Sequence, residues 1–244
     1  MRLKSIQTNA FKSLFEVLKE IITDVNIYFD DTGLKITSFD VARVTLVDVK
    51  MKAENFEEYS CDTPVVIGVN MSNIFKLIKS VGNNDVILFE SSEETLNITI
   101  SNNTKKSKST FNLKLLDINE EIIDVPNITG MHQTTINSLD FQKLIRDMSA
   151  IGNEMKIKRF KTCVEFSCCG DFANQYTMIE DQNNIGNSVC EGIFSIKYIS
   201  MFIKSTSMCP LVQIMQSEES DSPIIFKYSI ANLGDIRFYL AEVT

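Results

Sequence analysis

The stretch NAFKSLFEVLKEII, residues 9–22, gathers Phe11, Leu14, Leu18, Ile21 and Ile22 on one arc and leaves Lys12 and Lys19 together outside it. At about 100° per residue this spacing predicts an amphipathic helix with an apolar floor and a basic outer side. A similar design returns 130 residues later, where FQKLIRDM (141–148) aligns with FKSLFEVL (11–18). At that offset DDTGLKITS (30–38) falls on FKTCVEFSC (160–168). With the two IKS triplets matched, GVNMSNIFKLIKS (68–80) falls on the end of GNSVCEGIFSIKYISMFIKS (186–205) at an offset of 125. Each half reads strand, helix, strands, helix, strands. Identity between the halves is low, so the repeat rests on pattern.

Around these anchors, several segments alternate with the period of two that marks half-buried strands. They are VILF (86–89), LNITI (96–100), FNLKL (111–115), VEFSC (164–168), IIFKYSI (224–230) and IRFYLAEV (236–243). Helices are expected at 9–22, 71–80, 139–151 and 194–205. Breaks fall at DDTG (30–33), GNND (82–85) and NNIGN (183–187). Many strands with four helices predict an α+β fold with mostly antiparallel sheets. The acidic stretch DINEEIIDVPNITG (117–130), with Pro126 and Gly130, reads as a linker. The expected division is a first domain over 1–116, a connector over 117–133 and a second domain over 134–244.

A chain of 244 residues can bury a large core, in one domain or in two of about 120. No apolar run reaches the ~18 residues a membrane span needs. MRLKSIQTN at the start lacks a signal-peptide apolar region, so an intracellular protein is expected. Its six scattered cysteines then read as reduced thiols. A formal charge of −8 argues against a simple nucleic-acid binder, but an average does not say where the charges sit.

The helices are where the positive charges gather. Met71, Ile74, Phe75 and Ile78 oppose Lys76 and Lys79. Phe141, Leu144, Ile145 and Met148 oppose Lys143 and Arg146; Tyr198, Ile199, Phe202 and Ile203 oppose Lys197 and Lys204. The four helices hold eight of the 24 basic residues and four of the 32 acidic ones, so they are net +4 and the remainder net −12. On one surface, such helices would attract phosphate while the rest repelled it. Any soluble helix also turns lysines to water, and the pattern alone leaves both readings open.

The run LKITSFDVARVTLVDVKMKAENFEEYSCDTPVVIGVNMSNIFKLIKSVGNND (34–85) resembles the proliferating cell nuclear antigen family of sliding clamps. So do LIRDMSAIG (144–152), KYISMFIKST (197–206) and YSIANLGDIRFYLA (228–241), and the similarity runs through essentially the whole chain in order. The resemblance implies two similar clamp domains per chain, with antiparallel sheets outside and two helices per domain on an inner face. It implies a closed homotrimer whose twelve helices surround duplex DNA without regard to sequence. Lys12, Lys19, Lys76, Lys79, Lys143, Arg146, Lys197 and Lys204 would then face DNA. The expected function is that of a processivity factor that tethers DNA polymerase and recruits replication and repair proteins, put on DNA by a clamp loader. The expected location is the nucleus in a eukaryote, otherwise the cytoplasm or a viral replication site, with no membrane partner.

The resemblance also implies a site for clamp-binding peptides under the connector. Ile123, Val125 and Pro126 would come from the connector, and Phe39, Arg43, Val44, Leu46, Pro223, Tyr239 and Ala241 from the facing wall. Read from the residues alone, Ile122, Ile123 and Val125 could simply pin a linker to a sheet. The family's YLAP reads YLAE here, so Glu242 stands where a proline is usual, and Arg43 stands where eukaryotic members often carry histidine. Subunits would pair edge strands matching KSTFNLKLL (108–116) and ANQYTMIE (173–180), through Phe111, Leu113, Tyr176 and Met178. Lys161 falls at a modifiable lysine of the family, and KKSK (105–108) reads as a solvated loop.

Catalysis finds little footing. His132 is the single histidine, and no phosphate-binding glycine loop, nucleophile elbow or paired C-x-x-C occurs. Neither a cofactor nor a metal is expected, and carboxylate pairs such as Glu93-Glu94 and Glu218-Glu219 read as solvated turns. Alternatives to the homotrimer are a subunit of a heterotrimeric checkpoint or archaeal-type clamp, and a monomeric accessory factor with the clamp fold.

Overall fold

The computed structural model describes residues 1–119, 123–180, 190–219 and 222–243. The expected break at 183–187 and part of the connector, 120–122, lie outside the described residues. The chain divides into two compact units. One holds Met1–Val41, Val47–Asp124 and Ser229–Ile236; the other holds Ala42–Leu46, Val125–Tyr228 and Arg237–Thr244. Their boundary after Asp124 falls inside the segment read as a connector. Each strand is grouped below with the unit that holds most of its residues.

The first unit runs β1 (Arg2–Ser5), α1 (Thr8–Ile21), β2 (Asp24–Asp30), β3 (Gly33–Phe39) and β4 (Thr45–Lys52). After a 3-10 turn at Ala53–Asn55 come β5 (Glu58–Ser60), β6 (Val65–Asn70), α2 (Met71–Ile78), β7 (Val86–Ser91), β8 (Thr95–Asn102) and β9 (Ser107–Lys114). A five-stranded sheet has the order β5-β1-β7-β8-β9, and a second set of neighbours has the order β4-β3-β2-β6.

The second unit runs β10 (Met131–Asn137), α3 (Ser138–Ser149), β11 (Glu154–Arg159), β12 (Cys163–Cys169), β13 (Asn174–Glu180) and β14 (Cys190–Ser195). Then come α4 (Ile196–Phe202), a 3-10 turn (Ile203–Ser207), β15 (Leu211–Ser217), β16 (Ile224–Ile230) and β17 (Gly234–Leu240). Its strand orders are β10-β15-β16-β17 and β13-β12-β11-β14. These repeat β1-β7-β8-β9 and β4-β3-β2-β6 strand for strand, with β5 as the first unit's addition. β3 and β12 lie 130 residues apart, as the repeat predicts.

Local chemistry explains the shared turns and cores. At the β2–β3 turn, Asp30 Oδ1 accepts from the amide of Thr32 at 2.8 Å and of Gly33 at 3.2 Å. Gly33 has φ 139°, and a Cβ there would stand 2.0 Å from the carbonyl oxygen of Met51. In the first unit Phe11 packs 5.4 Å from Phe89. In the second, Phe141 lies 5.8 Å from Phe226, and Phe202 stacks on Phe238 at 4.4 Å. Each such buried ring contributes about 1.5–3 kcal/mol.

Some expected bounds shift. The fourth helix is shorter than 194–205: β14 runs through Ser195, α4 ends at Phe202, and the rest tightens into a 3-10 turn. Helical structure in α2 ends at Ile78, with Lys79 as its C-cap. The strand expected over 236–243 is β17, which stops at Leu240. KKSK is only partly a loop, because Ser107 and Lys108 already belong to β9.

Candidate nucleic-acid interface

Each unit packs its two helices side by side, α1 with α2 and α3 with α4. α1 buries Phe11, Leu14, Phe15, Val17, Leu18 and Ile21. Phe15 and Val17 widen the apolar arc read from the sequence. Lys12 and Lys19 stay half-buried at its rim. The Lys19 Nζ lies 2.5 Å from Glu20 Oε1 and 5.0 Å from the centre of the Phe75 ring on α2. Phe75 is half-buried. It therefore serves Lys19 as a cation platform and is not a core residue like Ile74.

On α2, Lys76 and Lys79 are exposed. The N-terminus is fixed by Asn70, whose side chain accepts from the Asn73 amide at 3.0 Å and donates to Asp24 Oδ1 at 2.7 Å. On α3, Asn137 Oδ1 caps the amides of Leu139 at 2.9 Å and Asp140 at 3.3 Å. Phe141, Leu144, Ile145 and Met148 face inward, and Lys143 and Arg146 are exposed. The Gln142 side-chain Nε2 donates to the Ile203 carbonyl at 3.1 Å, tying α3 to the 3-10 turn that carries exposed Lys204. Lys197 is exposed on α4, its Nζ 5.7 Å over the neighbouring Tyr198 ring. Six of the eight cations are thus exposed and two half-buried, in pairs beside a buried apolar face. Ammonium and guanidinium groups suit phosphate contact without base readout.

The residues of the implied peptide site differ in exposure. In the second unit, Val44 C=O accepts from the Ala241 amide at 3.0 Å. Leu46 and Tyr239 are buried at 4% and 5% exposure, Val44, Val125 and Pro223 are half-buried, and Arg43, Pro126 and Ala241 are exposed. Arg43 holds φ 57°, a left-handed turn position. In the first unit, Phe39 and Ile123 are half-buried. Val41, two residues before Arg43 in the chain, is 91% exposed, and no periodicity marks it. The start of the connector is held to β6, with the Leu116 amide donating to the Gly68 carbonyl at 2.8 Å. Asn26 on β2 donates to the Ile118 carbonyl at 3.0 Å.

Glu242 has a local task. Its Oε1 accepts from the Ile193 amide on β14 at 3.0 Å, and the Val243 amide donates back to the Ile193 carbonyl at 2.8 Å. A proline at this position has no side-chain acceptor and could not make the first bond.

β9 and β13 are end strands of their sheets. Phe111 and Leu113 are half-buried, and Tyr176 and Met178 are 63% and 62% exposed. Phe172, before β13 in the chain, is 77% exposed, and no pattern in the sequence marks it. Lys161 is exposed in the turn between β11 and β12. His132 lies in β10, with Nε2 2.5 Å from Glu218 Oε1. Among the described residues, no three His, Cys, Asp or Glu side chains gather to hold a metal ion, and no helix is long and apolar enough to cross a membrane.

The family profile described as "Proliferating cell nuclear antigen, N-terminal domain" matches residues 1–122, and the one described as "Proliferating cell nuclear antigen, C-terminal domain" matches 125–243. A "Probable DNA polymerase sliding clamp 1" of Paramecium bursaria Chlorella virus 1 is 37% identical over 254 aligned residues, covering 99% of this chain and 96% of that protein. A "Proliferating cell nuclear antigen" of Chaetomium thermophilum (strain DSM 1495 / CBS 144.50 / IMI 039719) is 30% identical over 247, covering 96% of this chain and 95% of that protein.

Proposed function

Because this chain belongs to the proliferating cell nuclear antigen family, we propose that it works as a DNA sliding clamp, a ring that holds DNA polymerase to duplex DNA. The observation that carries this reading is the match of both halves of the family, in order, from residue 1 to residue 243. Three copies close the ring, joining edge strand β9 of one to β13 of the next through Phe111, Leu113, Tyr176 and Met178. Lys12, Lys19, Lys76, Lys79, Lys143, Arg146, Lys197 and Lys204 line the hole.

The mechanism needs no bond chemistry. A closed ring remains on DNA by topology, so tight binding would only slow it. Paired cations on flexible stems give weak, exchangeable phosphate contacts, and the acidic remainder keeps DNA off the outside. Arg43, Val44, Leu46, Val125, Pro126, Pro223, Tyr239 and Ala241 contribute to the docking site for clamp-binding peptides of polymerase and repair proteins. A clamp loader opens the ring.

Charge reversal tests the lining. Lys79→Glu and Arg146→Glu each weaken binding to duplex DNA several-fold in a mobility-shift titration, while light scattering still finds the wild-type assembly. Unchanged DNA affinity in both variants, or loss of the assembly, would contradict the assignment.

A further inference from the structure

Glu242 is held in place by bonds on either side of it and by one of its own. Just before it, the Ala241 amide donates to the Val44 carbonyl at 3.0 Å; just after it, the Val243 amide donates to the Ile193 carbonyl at 2.8 Å. The Glu242 Oε1 accepts from the Ile193 amide at 3.0 Å. Gly192 gives this carboxylate room, since a Cβ there would stand 3.2 Å from Oε1. The side chain is half-buried between exposed Ala241 and exposed Val243. Its position is set before anything binds.

The bond to Ile193 needs an acceptor and no charge, and a glutamine oxygen would serve it as well. Glu242 brings in addition a second oxygen and a full negative charge. Two residues before Ile193, Glu191 has its charge answered within the chain, by Lys156 and Lys158 at 3.2 Å each. Glu242 does not: among the described residues it makes no ion pair. A carboxylate on a loose side chain loses freedom when it pairs with a cation, and that cost limits what an exposed pair contributes. Here the freedom is already lost, so a cation that reaches the second oxygen meets a prepared partner.

We propose that Glu242 selects among clamp-binding peptides for those with a lysine or arginine beside the apolar docking segment, by pairing its carboxylate with that cation. This rests on the docking-site reading given above, because Ala241, the residue before Glu242, is part of that site. The apolar wall supplies the affinity. Glu242 supplies the preference, and it also disfavours peptides with an acid at the same place. A proline at this position offers neither charge nor acceptor, so the preference belongs to chains with an acid here.

Fluorescence anisotropy on the intact chain tests this with labelled synthetic peptides. Each has the same apolar and aromatic docking segment, with a single lysine moved through the flanking positions and alanine elsewhere. At least one lysine position is expected to bind about three- to fivefold tighter than the all-alanine peptide. Raising NaCl from about 50 to about 500 mM shrinks that ratio towards one. Glu242→Gln also brings the ratio to one, while hydrogen exchange at the Ile193 amide stays slow because the acceptor remains. Glu242→Lys reverses the preference, so that glutamate at the same peptide position now binds tighter than lysine. If no lysine position gains, or the gain survives in Glu242→Gln, Glu242 does not select the peptide, and the docking reading stands as long as the all-alanine peptide binds. If that peptide does not bind the wild-type chain, or binds equally well when exposed Ala241 is changed by Ala241→Trp, the docking reading itself fails and this inference with it.

Discussion

Gly68 shows how a single residue holds the start of the connector. A Cβ there would lie 2.1 Å from the carbonyl oxygen of Leu116, the group that follows the amide bonded to Gly68. Gly68→Ala must push residues 115–118 off β6. The expected loss is about 2 kcal/mol or more in urea unfolding, with faster hydrogen exchange at the Leu116 amide. Asp30 gives a pH signature. The Thr32 hydroxyl, chiefly, and then Lys35 hold its carboxyl at about 2, against the opposing effect of burial. A folded value below the unfolded one stabilises the fold above about pH 4, and that contribution is lost as pH falls through about 2. Asp30→Ala therefore lowers stability at pH 7 and flattens its dependence on acid between pH 4 and 2 in thermal melts. Other residues resist a reading from sequence for a physical reason. Alternation places Arg159 with Met155 and Ile157 on the inner face of β11, where it is fully buried, although its chemistry argues for water. Glu242 reads in sequence as a lost proline, and only the position of Ile193 reveals what it binds.

At the scale of elements, helices with one apolar stripe are legible to within a few residues. α1 and α3 follow the arcs of Phe11 and Phe141, because a half-buried helix must repeat near every 3.6 residues. The helix caps give a test. Asn137→Ala removes the acceptor for two α3 amides and should cost about 1 kcal/mol, read by chemical denaturation. Phe141→Ala, fully buried between Phe166 and Phe226, should cost about 3–5 kcal/mol by the same measurement. Strands are less legible. β4 buries Thr45, Leu46, Val47, Asp48 and Val49 in succession, so it shows no alternation to read. β9 is exposed over its first four residues and gives little hydrophobic signal there. The fourth helix ends early: after Phe202 the backbone tightens into the 3-10 turn Ile203–Ser207, which buries Ile203 and Ser205 and has a single apolar residue.

At the scale of the whole molecule, the internal repeat is the strongest signal that the sequence carries. Offsets of 130 and 125 residues predict two halves of one design, and both halves show the same strand orders. No single helix could reveal the proposed DNA lining, since one pair of lysines is ordinary. Its force comes from the same pairing on four helices of an acidic chain and from membership of a clamp family. The most direct test is topological retention. The chain is allowed to thread onto linear duplex DNA, both ends are then blocked with bulky protein, and heparin removes whatever is bound only by charge. A ring predicts that the chain stays on the blocked DNA and is released when a restriction enzyme cuts between the blocks. Equal release before and after cutting would contradict encirclement.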